Sequence, residues 1–92
     1  MSNHLVTCRK YQKVLPGLAE PPMPTALGKE IYENISAQAW AEWQELQTML
    51  INEHHLSLLE PDARKFLNEQ MQKFLSNDDF EKPEGYTPIQ SD

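Results

Sequence analysis

The sequence predicts an α+β, mostly α, domain: a short N-terminal two-stranded antiparallel β-ribbon packed on a three-helix body, then an irregular acidic tail. Three observations lead there. Apolar residues recur every three or four positions between Leu27 and Leu75, the period of helices with one buried face. Residues that start helices, Thr25, Ser36 and Pro61, divide that run into three. Ahead of it, the β-branched stretch HLVTC and the proline-dense PGLAEPPMPT have no helical rhythm.

Ninety-two residues make one domain, 1–92. It divides into a ribbon over 1–15, a proline-rich loop over 16–24, three helices over 25–75 and a tail over 76–92. Residues 4 to 8 are apolar and β-branched enough for a strand, and Tyr11 to Leu15 can pair back with them through Arg9 and Lys10. A two-stranded ribbon is marginal alone and needs helices to rest on. The prolines that follow remove amide donors and hold the chain extended, as befits a connecting loop.

Thr25 is the expected N-cap of a first helix that runs to about Asn34, with Leu27, Ile31 and Ile35 as its buried stripe. Gly28 costs that helix roughly 1 kcal/mol relative to alanine, which predicts a close backbone approach there. Ser36 caps the second helix, and Ile35 with Trp40 forms a hydrophobic staple across its start. Ala39, Trp40, Trp43, Leu46, Leu50 and Ile51 share its inward face, whereas Glu42, Glu45, Thr48 and Asn52 face solvent. This helix ends near His54 or His55. Pro61 opens the third helix, with Asp62 in the first turn where the helix dipole favours an acid. Ala63, Phe66, Leu67, Gln70, Met71, Phe74 and Leu75 carry its rhythm. Beyond Ser76 the periodicity ends, and Phe80, Tyr86 and Ile89 are the residues able to tack the tail onto the body.

Apolar residues make up 39% of the chain and charged residues 24%, which argues against wholesale disorder. No apolar run is long enough to span a membrane, and the N-terminus has no secretory pattern. A lone cysteine rules out an intramolecular disulfide framework and fits a reducing cytoplasm, the expected location. The net charge is −6. The first fifteen residues carry Arg9, Lys10 and Lys13 and no acid, whereas the tail has Asp78, Asp79, Glu81, Glu84 and Asp92 against Lys82 alone. An acidic chain without a basic stripe is a poor partner for nucleic acid.

Candidate chemistry is sparse. In INEHHL, residues 51 to 56, His54 and His55 point about 100° apart on a helix and cannot share one ion. They read as a partly buried histidine at a helix C-terminus beside a solvated one. Cys8 is the only soft ligand and the only thiol. It is flanked by Arg9 and Lys10, whose charge favours a thiolate, and it also has the character of a small buried hydrophobe. His4 shares its strand face but lies about 13 Å away, too far for a common ion. The tail acids lack the spacing of a calcium loop and read as solvated. There is no triad, phosphate-cradling loop or carboxylate pair. Catalytic and cofactor-binding residues are therefore expected to be absent, and the chain reads as a binding or carrier protein.

Several stretches carry a resemblance. Cys8, LGKEIYENIS at 27–36, AWAEWQELQTMLINE at 39–53, RKFLNEQMQKFL at 64–75 and GYTP at 85–88 resemble the bacterial Fe(2+)-trafficking protein family over nearly the whole chain. The resemblance implies a ribbon plus three helices in a small cytosolic protein, and a short helical domain with no obvious exposed seam is expected to be a monomer. The resemblance also implies a role in moving Fe(2+) between acquisition and iron-requiring processes, including iron–sulfur cluster synthesis or repair, and in protection against oxidative damage. The implied cargo is a weakly held Fe(2+), and the implied partners are cluster-assembly or repair proteins. Cys8 is the one matching residue suited to ligate iron. The family commonly has basic residues after INE, so His54 and His55 depart from its pattern. The alternative is an adaptor that binds no metal and docks on such a partner, with Cys8 structural or redox-sensing.

Overall fold

The computed structural model describes residues 4–83 together with 85 and 86. Strands β1 (Leu5–Thr7) and β2 (Val14–Pro16) pair antiparallel, with Leu5 opposite Pro16, Val6 opposite Leu15 and Thr7 opposite Val14. Alternation along β1 turns Val6 inward, while Leu5 and, across on β2, Val14 remain exposed. The ribbon is shorter than its sequence pattern suggests, and its second strand begins at Val14 instead of Tyr11. The connection is a wide turn closed by the Cys8 N–H donating to the Lys13 carbonyl (2.9 Å) and the Gln12 N–H donating to the Cys8 carbonyl (2.6 Å). Gln12 takes a left-handed conformation in that turn, with φ of 56°. Tyr11 is drawn out of strand register because its hydroxyl donates to Glu42 on the second helix.

Helix α1 (Ala26–Asn34) starts where expected, with Thr25 Oγ1 accepting the Gly28 N–H at 3.1 Å. Gly28 is buried against the preceding loop. A β-carbon there would sit 2.7 Å from Met23 Cγ and 2.8 Å from the Met23 carbonyl carbon. That is the close approach the glycine foreshadows. Helix α2 (Ala37–His54) is capped by Ser36, whose Oγ accepts the Ala39 N–H at 3.1 Å. Ile35, Ala39, Trp43, Leu46 and Leu50 are buried, and Trp40 and Ile51 pack against their cluster while partly exposed. The helix stops at His55, which has φ of 52° and donates its N–H to the Ile51 carbonyl.

Helix α3 (Pro61–Leu75) opens on Pro61 and Asp62 and buries Ala63, Leu67, Gln70, Met71, Phe74 and Leu75. It packs along α2, while α1 lies against β1 and α2 against β2. The core is thus the seam between α2 and α3, closed at one end by Ile31, Ile35 and Cys8. The described part of the tail folds back through Phe80 and Tyr86, two of its three expected anchors. Phe80 meets Phe74 edge-on at 5.3 Å, and Tyr86 meets Phe80 at 5.8 Å. Gln70, buried mid-helix, accepts the Glu81 N–H at 2.6 Å. Ile89, Glu84 and Asp92, also named in the tail, lie outside the described residues. Among the described residues no helix is long and apolar enough to cross a membrane.

Candidate functional site

Cys8 sits at the end of β1 with no solvent exposure. Its Sγ accepts the Ser36 N–H at 3.4 Å, and the next amide, Arg9 N–H, donates to the Asn34 carbonyl at 2.8 Å. The thiol therefore plugs the junction where α1 ends, α2 begins and the ribbon crosses both. Its two basic neighbours make their contacts elsewhere, although Lys10 stays within electrostatic reach of Cys8. Arg9 reaches Glu30 at 3.6 Å, and Lys10 reaches the far end of α3.

The histidines part company. The His54 ring packs edge-on against Phe66 at 5.3 Å and lies 3.8 Å from Glu53. At 38% side-chain exposure it is exposed, not the partly buried residue that its place on the Trp43 face suggests. His55 is exposed and serves as the left-handed residue that ends α2. In the tail, Asp79 pairs with Lys82 at 3.0 Å, an exposed contact of little energetic weight. Among the described residues no three His, Cys, Asp or Glu side chains come together as a metal cluster.

What the fold does bring together is a cleft of about 370 Å³ between the ribbon turn, the outer face of α2 and the returning tail. Lys10 and Tyr11 come from the turn, Glu42, Glu45 and Met49 from α2, Phe74 from α3, and Phe80, Lys82 and Tyr86 from the tail. Glu42, expected on the solvent face, is half-buried here. Its Oε1 accepts the Tyr11 hydroxyl and its Oε2 accepts the Gln38 amide at 3.3 Å. Burial raises the Glu42 carboxyl above its ordinary range. Lys10 opposes that rise and Glu45, one turn on, adds to it. Burial also raises the Tyr86 phenol, with both glutamates contributing.

Lys10 forms one wall of the cleft. Its ammonium lies 3.7 Å from the centre of the Phe74 ring and donates to the Phe74 carbonyl at 3.0 Å and to Asn77 Oδ1 at 3.4 Å. In return Asn77 Nδ2 donates to the Lys10 carbonyl at 2.7 Å. The cation thus caps the C-terminal end of α3, where the dipole favours positive charge. Partial burial nevertheless holds its pKa below the lysine norm, with Glu42 pulling it back up.

The family model for bacterial Fe(2+) trafficking matches residues 1–89. The chain belongs to the bacterial Fe(2+)-trafficking family. A probable Fe(2+)-trafficking protein of Hahella chejuensis is 57% identical over 84 residues, covering 91% of this chain and 94% of its own length. One of the same description from Chromohalobacter salexigens is 60% identical, covering 90% and 92% respectively. A third, from Pseudomonas paraeruginosa, is 54% identical with the same coverage.

For this Fe(2+)-trafficking family member, the sequence pointed to Cys8 and away from the histidine pair. The cleft was missed. Helical periodicity puts Glu42 and Glu45 correctly on the outer face of α2, but it cannot reveal what folds over that face. A usable signal was present in the aromatic residues left outside any buried stripe: Tyr11, Phe80 and Tyr86 needed somewhere to pack, and they converge on those glutamates.

Proposed function

We propose that this chain carries Fe(2+) in transit between acquisition and iron-requiring processes such as iron–sulfur cluster synthesis or repair, and so limits oxidative damage. It acts as a cytoplasmic monomer and catalyses no reaction of its own. The observation that carries the proposal is the family match along nearly the whole chain, joined to relatives of the same description. The proposed ligand is Cys8, the one soft donor, with solvent completing the coordination. A single protein ligand suits cargo that must be surrendered. The burial of Cys8 adds a condition: iron reaches the thiol only when the small ribbon lifts from the α1–α2 junction, a local opening that three-residue strands make accessible.

A second reading is favoured by the same burial. Cys8 at zero exposure, bonded to the Ser36 amide, is also what a purely structural thiol looks like. On that reading the chain is an adaptor that docks on a cluster-assembly or repair protein and holds no iron. Anaerobic Fe(2+) titration followed by NMR, on the wild type and on Cys8→Ser, separates the two. Carriage through Cys8 predicts paramagnetic loss of signals around Cys8 and Ser36 that disappears in the variant. If moderate excess iron perturbs no residue selectively, carriage fails and the adaptor stands. If the loss persists undiminished in Cys8→Ser, iron is carried but Cys8 is not its ligand.

A further inference from the structure

We propose that His4 latches the ribbon shut over Cys8, and that release of its ring from α1 is the step that exposes the thiol. Carriage through Cys8 requires the ribbon to lift, and the latch rests on that reading for its purpose. His4 and Cys8 divide between them one hydrogen bond that α1 leaves unmade. In a continuing helix the Ser36 N–H would donate to the Tyr32 carbonyl, four residues back. Here α1 ends at Asn34, and the Ser36 N–H donates instead to Cys8 Sγ at 3.4 Å. The Tyr32 carbonyl, left without its helical donor, accepts from His4 Nε2 at 2.8 Å. The two residues that flank β1 thus satisfy the two halves of one gap in the backbone.

The ring has a fitted seat. It lies flat on the Tyr32 ring, with centroids 4.0 Å apart and planes 7° from parallel. Its edge rests on the bare backbone of Gly17, where a β-carbon would sit 2.5 Å from His4 Cδ2 and 3.1 Å from Nε2. Gly17 in turn donates its N–H to the His4 carbonyl at 2.6 Å and bridges to Ser36, so the latch and the Cys8 junction share a neighbour. The turn end of the ribbon is held by Tyr11 on Glu42 and by Lys10 on Phe74 and Asn77. At the open end, among the described residues, the side-chain hydrogen bond to a helix is that of His4 alone. An open cleft of about 560 Å³ flanks the ring, bounded also by Leu5, Pro16, Leu18 and Ala19, and gives it room to swing clear. Opening therefore starts at the His4 end.

The test contains no iron, so failure of the latch and failure of carriage are read separately. Reaction of Cys8 with a chromogenic disulfide reagent is followed in the native full chain across low urea concentrations. Loss of a ring stack and a hydrogen bond predicts that His4→Ala speeds the reaction at least about fivefold. Tyr32→Leu, which removes the stack alone, speeds it at least about twofold. Gly17→Ala drives the ring from its seat with both partners in place, and also speeds it. Tyr32→Phe keeps ring and carbonyl and leaves the rate unchanged. His4 lies outside the core cluster, so its loss leaves the helical body folded. Local opening exposes little surface, so the rate in His4→Ala depends weakly on urea, whereas exposure by global unfolding carries the full slope of that transition. An unchanged rate in His4→Ala, or an acceleration that follows the global slope, would overturn the latch. So would an equal acceleration by Tyr11→Phe, which would place the opening at the turn.

Discussion

Replacing Gly28 by alanine sets two effects of opposite sign against each other, and the structure decides between them. In an exposed helix the change adds about 1 kcal/mol of stability, since alanine is the better helix former. In α1 the new methyl is driven towards the Met23 carbonyl group, 2.7 Å from Cγ and 2.8 Å from the carbonyl carbon, and closer still to the oxygen. Most of those atoms are backbone, in a loop stiffened by Pro22 and Pro24, so no rotamer change removes the clash. Overpacking of this kind costs about 1–3 kcal/mol, and the backbone target argues for the upper half of that range. The net expectation is a loss of about 1–2 kcal/mol, after offsetting the propensity gain. For a domain of this length that is a fall in melting temperature of roughly 4–16 °C. Thermal denaturation followed by circular dichroism at 222 nm reads it directly. A melting temperature equal to or above that of the wild type would mean that the loop gives way freely, and that Gly28 does not hold α1 against it.

Other expectations test separate parts of the molecule. His55→Gly relieves the left-handed strain at the end of α2, where φ is 52°, and raises stability by about 0.4–1 kcal/mol in chemical denaturation. The Cys8 thiol, with no exposed surface, reacts with a chromogenic disulfide reagent much more slowly in the native protein than in 6 M guanidinium chloride, the concentration fixing an unfolded reference of roughly that strength. Immediate stoichiometric reaction in buffer would refute its burial. Glu42 has a raised carboxyl pKa, so the folded state holds that proton more tightly than the unfolded chain. Its contribution therefore favours folding once pH falls below the folded pKa and is withdrawn as pH rises through it. The difference in melting temperature between wild type and Glu42→Gln should accordingly move in favour of the wild type as pH is lowered from neutrality towards the ordinary glutamate range. A difference that is flat, or of the opposite slope, contradicts the placement of Glu42 in the cleft.

The helices were legible because their signals are local. Thr25, Ser36 and Pro61 mark starts through their own side-chain and ring chemistry, and the rhythm from Ala39 to Leu50 records a single buried face. The ribbon was legible in kind but not in register. Nothing between Cys8 and Val14 announces that Gln12 turns left-handed, or that Tyr11 leaves the strand for a glutamate 31 residues away. The cleft depends on still longer links, Lys10 to Phe74 and Asn77 across 64 and 67 residues. Such pairings are choices of tertiary packing, and periodicity in one helix carries no record of them. Cys8 was visible as the only thiol, but its depth was not, because burial at the end of a strand depends on the crossing of α1 and α2.

We propose that Fe(2+) moves through this chain to proteins that build or restore iron–sulfur clusters. The most direct measurement loads the protein anaerobically with Fe(2+) and mixes it with an iron-depleted cluster enzyme, sulfide and a chelator that captures free Fe(2+). Recovery of enzyme activity is then compared with that from the same amount of free iron. The account predicts that iron delivered by the chain restores activity in the presence of the chelator and that delivery by Cys8→Ser is impaired. Recovery no faster than with free iron would contradict it.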